Sequence, residues 1–356
     1  MRRVGLVLLV VASVLAATVA LYFVPAVQDG LLNRAVRAGA TARTDLLAND
    51  AMRVLLCGTR GPLPAPRRAE TCIAVFAGGH WFLVDAGQGS WNNLALWQIP
   101  ARQIAAVFIT HMHSDHIGEL GEINTNTWIA GRPAPLRGFG PEGLEQLTHG
   151  VNVAYSIDRR FRIAHHGAGL LNPSAAPLDV VTVPLRANSA PKALVYDADG
   201  VRVIAFLVNH APAAPAFGYR FDYRGRSLVI SGDTVSSQSV ISAAADADLL
   251  LHEALAAHML PALVDAAKAA GRTSAAKLLA DIPGYHTTPM QAAAIANKAK
   301  ARALVLYHLV PAPRNDLMER VFMRGVSAVR SETKLGEDGM LITLPANSTV
   351  VQFGHI

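Results

Sequence analysis

Charged and aromatic residues are scarce in this sequence: of 356 residues, 16% are charged and 6% are aromatic. No run of Lys or Arg exceeds a pair such as Arg67-Arg68 or Arg159-Arg160. A nucleic-acid binder is expected to carry a basic stripe or stacking aromatics, so the sequence disfavours nucleic acid as a partner. The net charge of +6 then reads as that of a mildly basic enzyme, although an acidic partner would also suit it. Cysteine is limited to Cys57 and Cys72. Neither lies near the histidine-rich stretch in sequence, which argues against metal binding through sulfur. The two flank a loop and could bridge across a pair of strands in an exported protein, or remain as buried free thiols. There is no internal repeat of fixed short period.

What is abundant is apolar surface. Hydrophobic residues make up 51% of the chain, enough for a sizeable core in one large domain or two small ones. The N-terminus stands apart: MRR precedes an uncharged run from Val4 to Val24. A bilayer needs roughly 20 apolar residues, so the run is long enough to cross one. The basic start and the small residues Thr18-Val19-Ala20 also fit a secretory signal. The run exceeds the roughly 7–15 residues of a typical signal core, which favours an uncleaved anchor. The division expected is a signal peptide or membrane anchor over 1–28, a tether over 29–50 and a hydrolase domain over 51–356. Either form of the N-terminus predicts an exported body, periplasmic or anchored facing outside the cytoplasm.

Beyond residue 51 strands and helices mix. MRVLLC (52–57) predicts a strand, and TCIAVFA and HWFLVDA a hairpin about Gly78-Gly79. AAVFIT predicts a short buried strand, and ELGEINTNTWIA a helix. PLRGFG followed by PEGLEQLTHGV predicts strand, turn and helix, with Pro141 at the first helical position. VRVIAFLV, FGYRFDY and SLVISGD predict strands with a tight turn at Arg224-Gly225, and TPMQAAAIANKAKA predicts a helix with Pro289 in its first turn. MLITL and STVVQF predict a closing hairpin. The class is α/β, with helices layered over sheet.

Buried strands repeatedly end on polar residues: FLVDAG on Asp85, LVNHAP on His210, LVISGDT on Asp233, LLLHEA on His252 and Glu253, ALVLYH on His308. Loops positioned by a rigid sheet commonly present reactive groups, so these ends suggest one shared site. The densest is THMHSDH, residues 110–116. Residues two apart in an extended segment point the same way, so His111 and His113 can take one ion. The chain then turns into a helix capped near Ser114, which aims Asp115 and His116 toward a second ion. Imidazoles with carboxylates and no Cys suit Zn, with Mn or Fe as alternatives.

The chain resembles the metallo-β-lactamase-fold hydrolases, whose HxHxDH signature is complete here as His111, His113, Asp115 and His116. The resemblance implies a four-layer αββα sandwich preceded by the N-terminal apolar helix. It also implies two divalent metal ions, one held by His111, His113 and His210, the other by Asp115, His116 and His308, with Asp233 bridging. Asp85 would support the site without binding metal. Asp115 would orient the nucleophile while binding metal.

Other stretches resemble the tRNase Z and arylsulfatase-like subgroup: LCGTRGPLPAPRRAET, FGYRF, LLLHEA and YHTTPMQAA. By that resemblance Glu253 and His286 form a relay that protonates the leaving oxygen. The tRNA-gripping arm of tRNase Z is commonly inserted between the positions of His210 and Asp233, which here lie only 23 residues apart. The longer interval, 94 residues from His116 to His210, suits a lid or pocket wall and contains His165-His166. With an exported N-terminus, these features predict an exported binuclear hydrolase acting on a sulfate ester or phosphodiester, with a small anionic ester as substrate. Lactones and other carboxylic esters are the alternative, and a catalytically inactive membrane-tethered binding protein is a third. Oligomeric state is left open.

Overall fold

The computed structural model describes residues 2–39 and 41–356. Met1, in the predicted signal or anchor, and Ala40, in the predicted tether, lie outside the described residues. The chain divides into two compact units, Met1–Arg43 and Thr44–Ile356. The first holds α1 (Arg2–Tyr22) and α2 (Pro25–Gly39). Pro25 opens the second helix, a position where its missing N–H costs nothing. The apolar run predicted over 4–24 is therefore broken after Tyr22, and Val11–Tyr22 meets Pro25–Arg37 at 74°. Among the described residues no single helix is long and apolar enough to cross a membrane; only this bent pair passes, by length and composition taken together.

The second unit contains fifteen strands among the described residues. They are β1 (Ala51–Gly58), β2 (Cys72–Ala77), β3 (His80–Val84), β4 (Ile104–Phe108), β5 (Leu136–Gly140), β6 (Leu178–Thr182), β7 (Lys192–Ala198), β8 (Val201–Val208), β9 (Ala216–Tyr223), β10 (Arg226–Ile230), β11 (Leu249–Leu255), β12 (Ala303–Val310), β13 (Thr333–Leu335), β14 (Met340–Pro345) and β15 (Gln352–His355). One sheet runs β15-β14-β1-β2-β3-β4-β5-β6 and the other β13-β12-β11-β10-β9-β8-β7. Each is mixed: β3 to β6 are parallel, as are β10 to β13, and the remaining pairs are antiparallel.

Side chains alternate across a strand, and here both faces of the central strands are buried. Val54, Val75, Phe82 and Phe108 of the first sheet pack against Val203, Phe221, Ile230 and Val305 of the second. On the outer face of the first sheet, Leu55, Phe76, Leu83 and Val107 pack against Leu94 of α3 (Ser90–Leu96), Leu120 and Ile123 of α5 (Leu120–Ile129), and Leu144 of α6 (Leu144–Ala154). The one-turn α4 is Ser114–Ile117, and α7 is Ser156–His166. On the outer face of the second sheet, Val229, Leu250 and Leu304 pack against Ala292, Ile295 and Ala296 of the helix Pro289–Lys298. Helix, sheet, sheet, helix is the expected αββα sandwich.

Two local expectations are corrected. Pro141 precedes its helix, which starts at Leu144 after Gly143 in a left-handed turn (φ 98°). The cap of the metal-motif helix is His113, without a side-chain cap bond, rather than Ser114. Cys57 and Cys72 form a disulfide across β1 and β2, with Cα atoms 5.0 Å apart.

Candidate metal centre

Parallel strands end together, so the carboxyl ends of β3 and β4 in one sheet, and of β10, β11 and β12 in the other, deliver polar residues to one edge of the sandwich. Asp85 follows β3, the THMHSDH segment follows β4, and Asp233 follows β10. His210 follows β8. Two backbone features aim these side chains. In the β11–β12 pairing, Glu253 faces Tyr307 and Ala254 faces Leu309, leaving His308 as the extra residue of a bulge with φ 45°. A bulge of this kind re-aims a side chain out of the ladder. Ahead of Asp233, Gly232 has φ 61°, and a Cβ there would lie 2.2 Å from the Phe217 carbonyl oxygen. Only glycine fits that approach.

All seven predicted ligands converge. His111, His113 and His210 form one group able to hold an ion, with His111 Nε2 2.9 Å and His210 Nε2 3.4 Å from His113 Nδ1. Asp115, His116 and His308 form a second, with His308 Nε2 3.2 Å and His116 Nε2 3.6 Å from Asp115 Oδ2. The Asp233 carboxylate reaches both: its Oδ2 lies 3.2 Å from His308, 3.4 Å from His116 and 3.9 Å from both His111 and His210. Six of the seven are buried and His113 is exposed, so the first group opens to solvent.

The donor set fits divalent cations. His116 Nε2 and Asp233 Oδ1 are buried with no hydrogen-bond partner, a costly state that a metal ion relieves. The electrostatics agree. Burial holds His111, His113 and His210 below the usual imidazole range, leaving lone pairs free for coordination. His116 behaves oppositely: burial pulls it down, but Asp233, Asp85 and Asp115 together raise it well above its ordinary value. The proton it attracts marks the place where a cation would sit. Burial pushes Asp115 up, yet His116 and His308 bring its carboxyl down to about 2. Asp233 likewise stays well below the carboxylate range, burial being outweighed by His308 and His116.

Supporting contacts fix ring orientation. Asp85 Oδ2 lies 2.8 Å from His116 Nδ1, and Asp85 accepts hydrogen bonds from the Thr110 N–H (2.8 Å) and hydroxyl (2.9 Å). His210 Nδ1 donates to the Tyr285 carbonyl at 2.9 Å. Such outer contacts set the tautomer that leaves the other ring nitrogen facing the ion. The sequence reading missed Thr110 and Tyr285, although Thr110 opens the histidine-rich stretch itself.

Glu253 and His286 meet beside the ligands. Glu253 Oε1 lies 3.3 Å from His286 Nδ1 and accepts the Thr287 N–H at 2.8 Å. Burial lowers His286, but the Glu253 carboxylate overcomes it and raises the imidazole to about 9. The His286 ring stands 5.5 Å from that of His308 and 5.0 Å from that of His210. His165 and His166 do not join the cluster: both are exposed at the end of α7, within the interval expected to form a lid or pocket wall. His252 is buried, with Nδ1 bonded to the Glu253 carbonyl, and lies in none of the candidate metal groups.

Fold and site together define a metal-dependent hydrolase, and the chain belongs to the metallo-beta-lactamase superfamily, whose family model matches residues 65–279. Within it, several similar proteins are named ribonuclease Z or tRNase Z. Ribonuclease Z of Mycobacterium bovis is 34% identical over 264 residues, covering 73% of this chain and 87% of that one. Ribonuclease Z of Mycobacterium avium is 36% identical with the same coverage. The crystal structure of the short form of human tRNase Z superposes with a TM-score of 0.56 at 26% identity, over 82% of this chain and 99% of that one.

These relatives correct several expectations. They bear the name of a ribonuclease rather than of a sulfatase, lactonase or small-ester hydrolase, which overturns the sulfate-ester reaction and the small anionic ester substrate. The exclusion of nucleic acid as a partner falls on the same finding. The exported or periplasmic location is overturned by the same relatives, which are ribonucleases Z by name.

Proposed function

We propose that this chain is a metal-dependent ribonuclease that cleaves phosphodiester bonds in RNA. The observation that carries it is the buried His286–Glu253 pair beside the two ligand groups, in a chain 34% identical to proteins named ribonuclease Z over 87% of their length. His111, His113 and His210 would hold one ion, Asp115, His116 and His308 the other, and Asp233 would serve both. Imidazole and carboxylate donors without thiolate favour zinc. Bound there, two divalent ions supply Lewis acidity toward a phosphoryl oxygen and bring water within reach of ionisation near neutral pH.

The chain's own side chains do the rest. Asp115, ionised with its carboxyl at about 2, accepts a hydrogen bond from the attacking water and orients it. His286, protonated up to about pH 9, gives its proton to the departing ribose oxygen. Glu253, 3.3 Å from Nδ1, holds that proton on His286 until it is transferred. The Thr287 N–H fixes the carboxylate in place. The hydrolase domain is taken as 51–356, with 29–50 as the tether before it.

The test is cleavage of a 3′-extended tRNA transcript and of an unstructured RNA oligonucleotide by zinc- or manganese-loaded protein. Discrete products, lost on chelation and restored by metal, support the proposal. Intact RNA in the presence of metal-loaded, folded protein overturns it.

A further inference from the structure

Beside the metal ligands lies an apolar cavity of about 580 Å³ that the chemistry above does not use. Its near wall is built from the ligand segment itself. Met112 sits between His111 and His113, and Ile117 directly follows His116. Leu147 and Val151 of α6 form the far wall, with Tyr155 at the helix end and Gln146 contributing an amide. Met112, Ile117, Leu147 and Val151 also pack onto the buried core beneath, so the walls are set by the fold. A second cavity of about 370 Å³, lined by His111, Met112, His113, Glu142 and Pro212–Pro215, opens on the metal centre. The two share Met112, so a substrate whose scissile bond lies at the exposed His113 reaches the apolar cavity across a single side chain.

The lining states what it can take. No charged side chain faces it, which rules out a phosphate or another ion as its occupant. Tyr155 is held at its phenol end: its hydroxyl donates to Glu122 Oε1 at 3.0 Å, and that end of the ring lies against Gly121, where an added Cβ would clash with it. A rigid aromatic plate, apolar walls and one neutral amide suit a flat, uncharged, heteroaromatic group, and unpaired bases of RNA are held by such stacking and edge contacts. We propose that this cavity is a base-binding subsite: it takes the nucleobase of the nucleotide next to the cleaved phosphodiester, stacked on Tyr155 and contacted at its edge by Gln146. This rests on the RNA-cleaving function above and extends it to how the substrate is positioned.

Gly150 supplies the test. It sits on α6 at the cavity, and a Cβ added there meets nothing within 4 Å. A glycine in a helix interior gains helix propensity on replacement, so Gly150→Phe fills the cavity without disturbing the fold. The assay measures kcat/KM on RNA oligonucleotides of one sequence, intact or abasic at each nucleotide flanking the cut. The wild type is expected to prefer the intact base on one flank by about 10-fold, the scale of one base–aromatic stack. Gly150→Phe and Tyr155→Leu are expected to abolish that preference while abasic cleavage and metal content stay unchanged. RNA cleaved equally well with and without either base overturns the subsite alone. Loss in Gly150→Phe that is equal on intact and abasic RNA assigns the cavity to another part of the chain and overturns the nucleobase. No cleavage of any RNA by the metal-loaded wild type overturns the ribonuclease function and the subsite together.

Discussion

Replacing Glu253 with Gln tests the proton donor directly. The substitution keeps shape and removes the charge that raises His286 to about 9. Without that charge the ordinary imidazole value of about 6.5 becomes an upper bound, because burial, the largest influence on this ring, pulls it lower still. A fall of about 2.5 units corresponds to about 3.4 kcal/mol of lost preference for the charged form. The sign follows from protonation: His286 donates only while protonated, so activity is present below its pKa and lost as pH rises through it. At pH 8 the protonated share drops from about 90% to about 3%, a loss of about 30-fold or more in kcat. The descending limb of the kcat–pH profile should therefore move from about 9 to about 6.5 or lower. The assay is single-turnover cleavage of RNA from pH 5.5 to 9.5, with bound metal measured in the same samples. A limb that stays near 9 with metals retained would refute His286 as the donor held by Glu253.

His286→Ala should slow turnover while both metals stay bound, and the loss should be smallest on phosphodiesters with good leaving groups. An equal loss on all leaving groups, read across a series of aryl phosphodiesters, would count against proton donation. Gly232→Ala places a methyl against the Phe217 carbonyl in a left-handed backbone, and should cost about 1–3 kcal/mol, seen as a lower Tm. The disulfide spans 15 residues, so a Cys57→Ser, Cys72→Ser double variant should lose about 3 kcal/mol in denaturant unfolding. Asp233→Ala should abolish cleavage and reduce metal content, since one carboxylate lies within 3.9 Å of ligands from both groups.

Much of the sandwich was legible in the sequence, because strands buried on both faces read as short apolar runs and their turns carry Gly-Gly or Arg-Gly. The ligands were legible for the same reason, as each polar residue interrupts such a run at its end. His308 was found by position, but its bulge was not: a one-residue insertion leaves no trace in an all-apolar strand. The cysteine pairing stayed open because spacing alone does not fix the distance between two Cα atoms. The break in the N-terminal run was not legible, because composition counts apolar residues and does not register a helix that stops at Tyr22 and restarts at Pro25. Nucleic acid was set aside for want of a basic stripe, a test blind to the positive field that bound divalent cations add to a site. The reaction was misassigned because one ligand set supports hydrolysis of many esters, so the substrate is set by the walls around it. Those walls are α6 and the proline-rich turn at 212–215, whose arrangement no local pattern encodes.

The most direct measurement is a crystal structure of zinc-loaded protein with anomalous data collected at the zinc edge. Two peaks are expected: one about 2.0–2.1 Å from nitrogens of His111, His113 and His210, the other at that distance from His116 and His308 and beside Asp115, with Asp233 between them. A single peak, or two peaks that leave Asp233 or His308 uncoordinated, would contradict the binuclear centre.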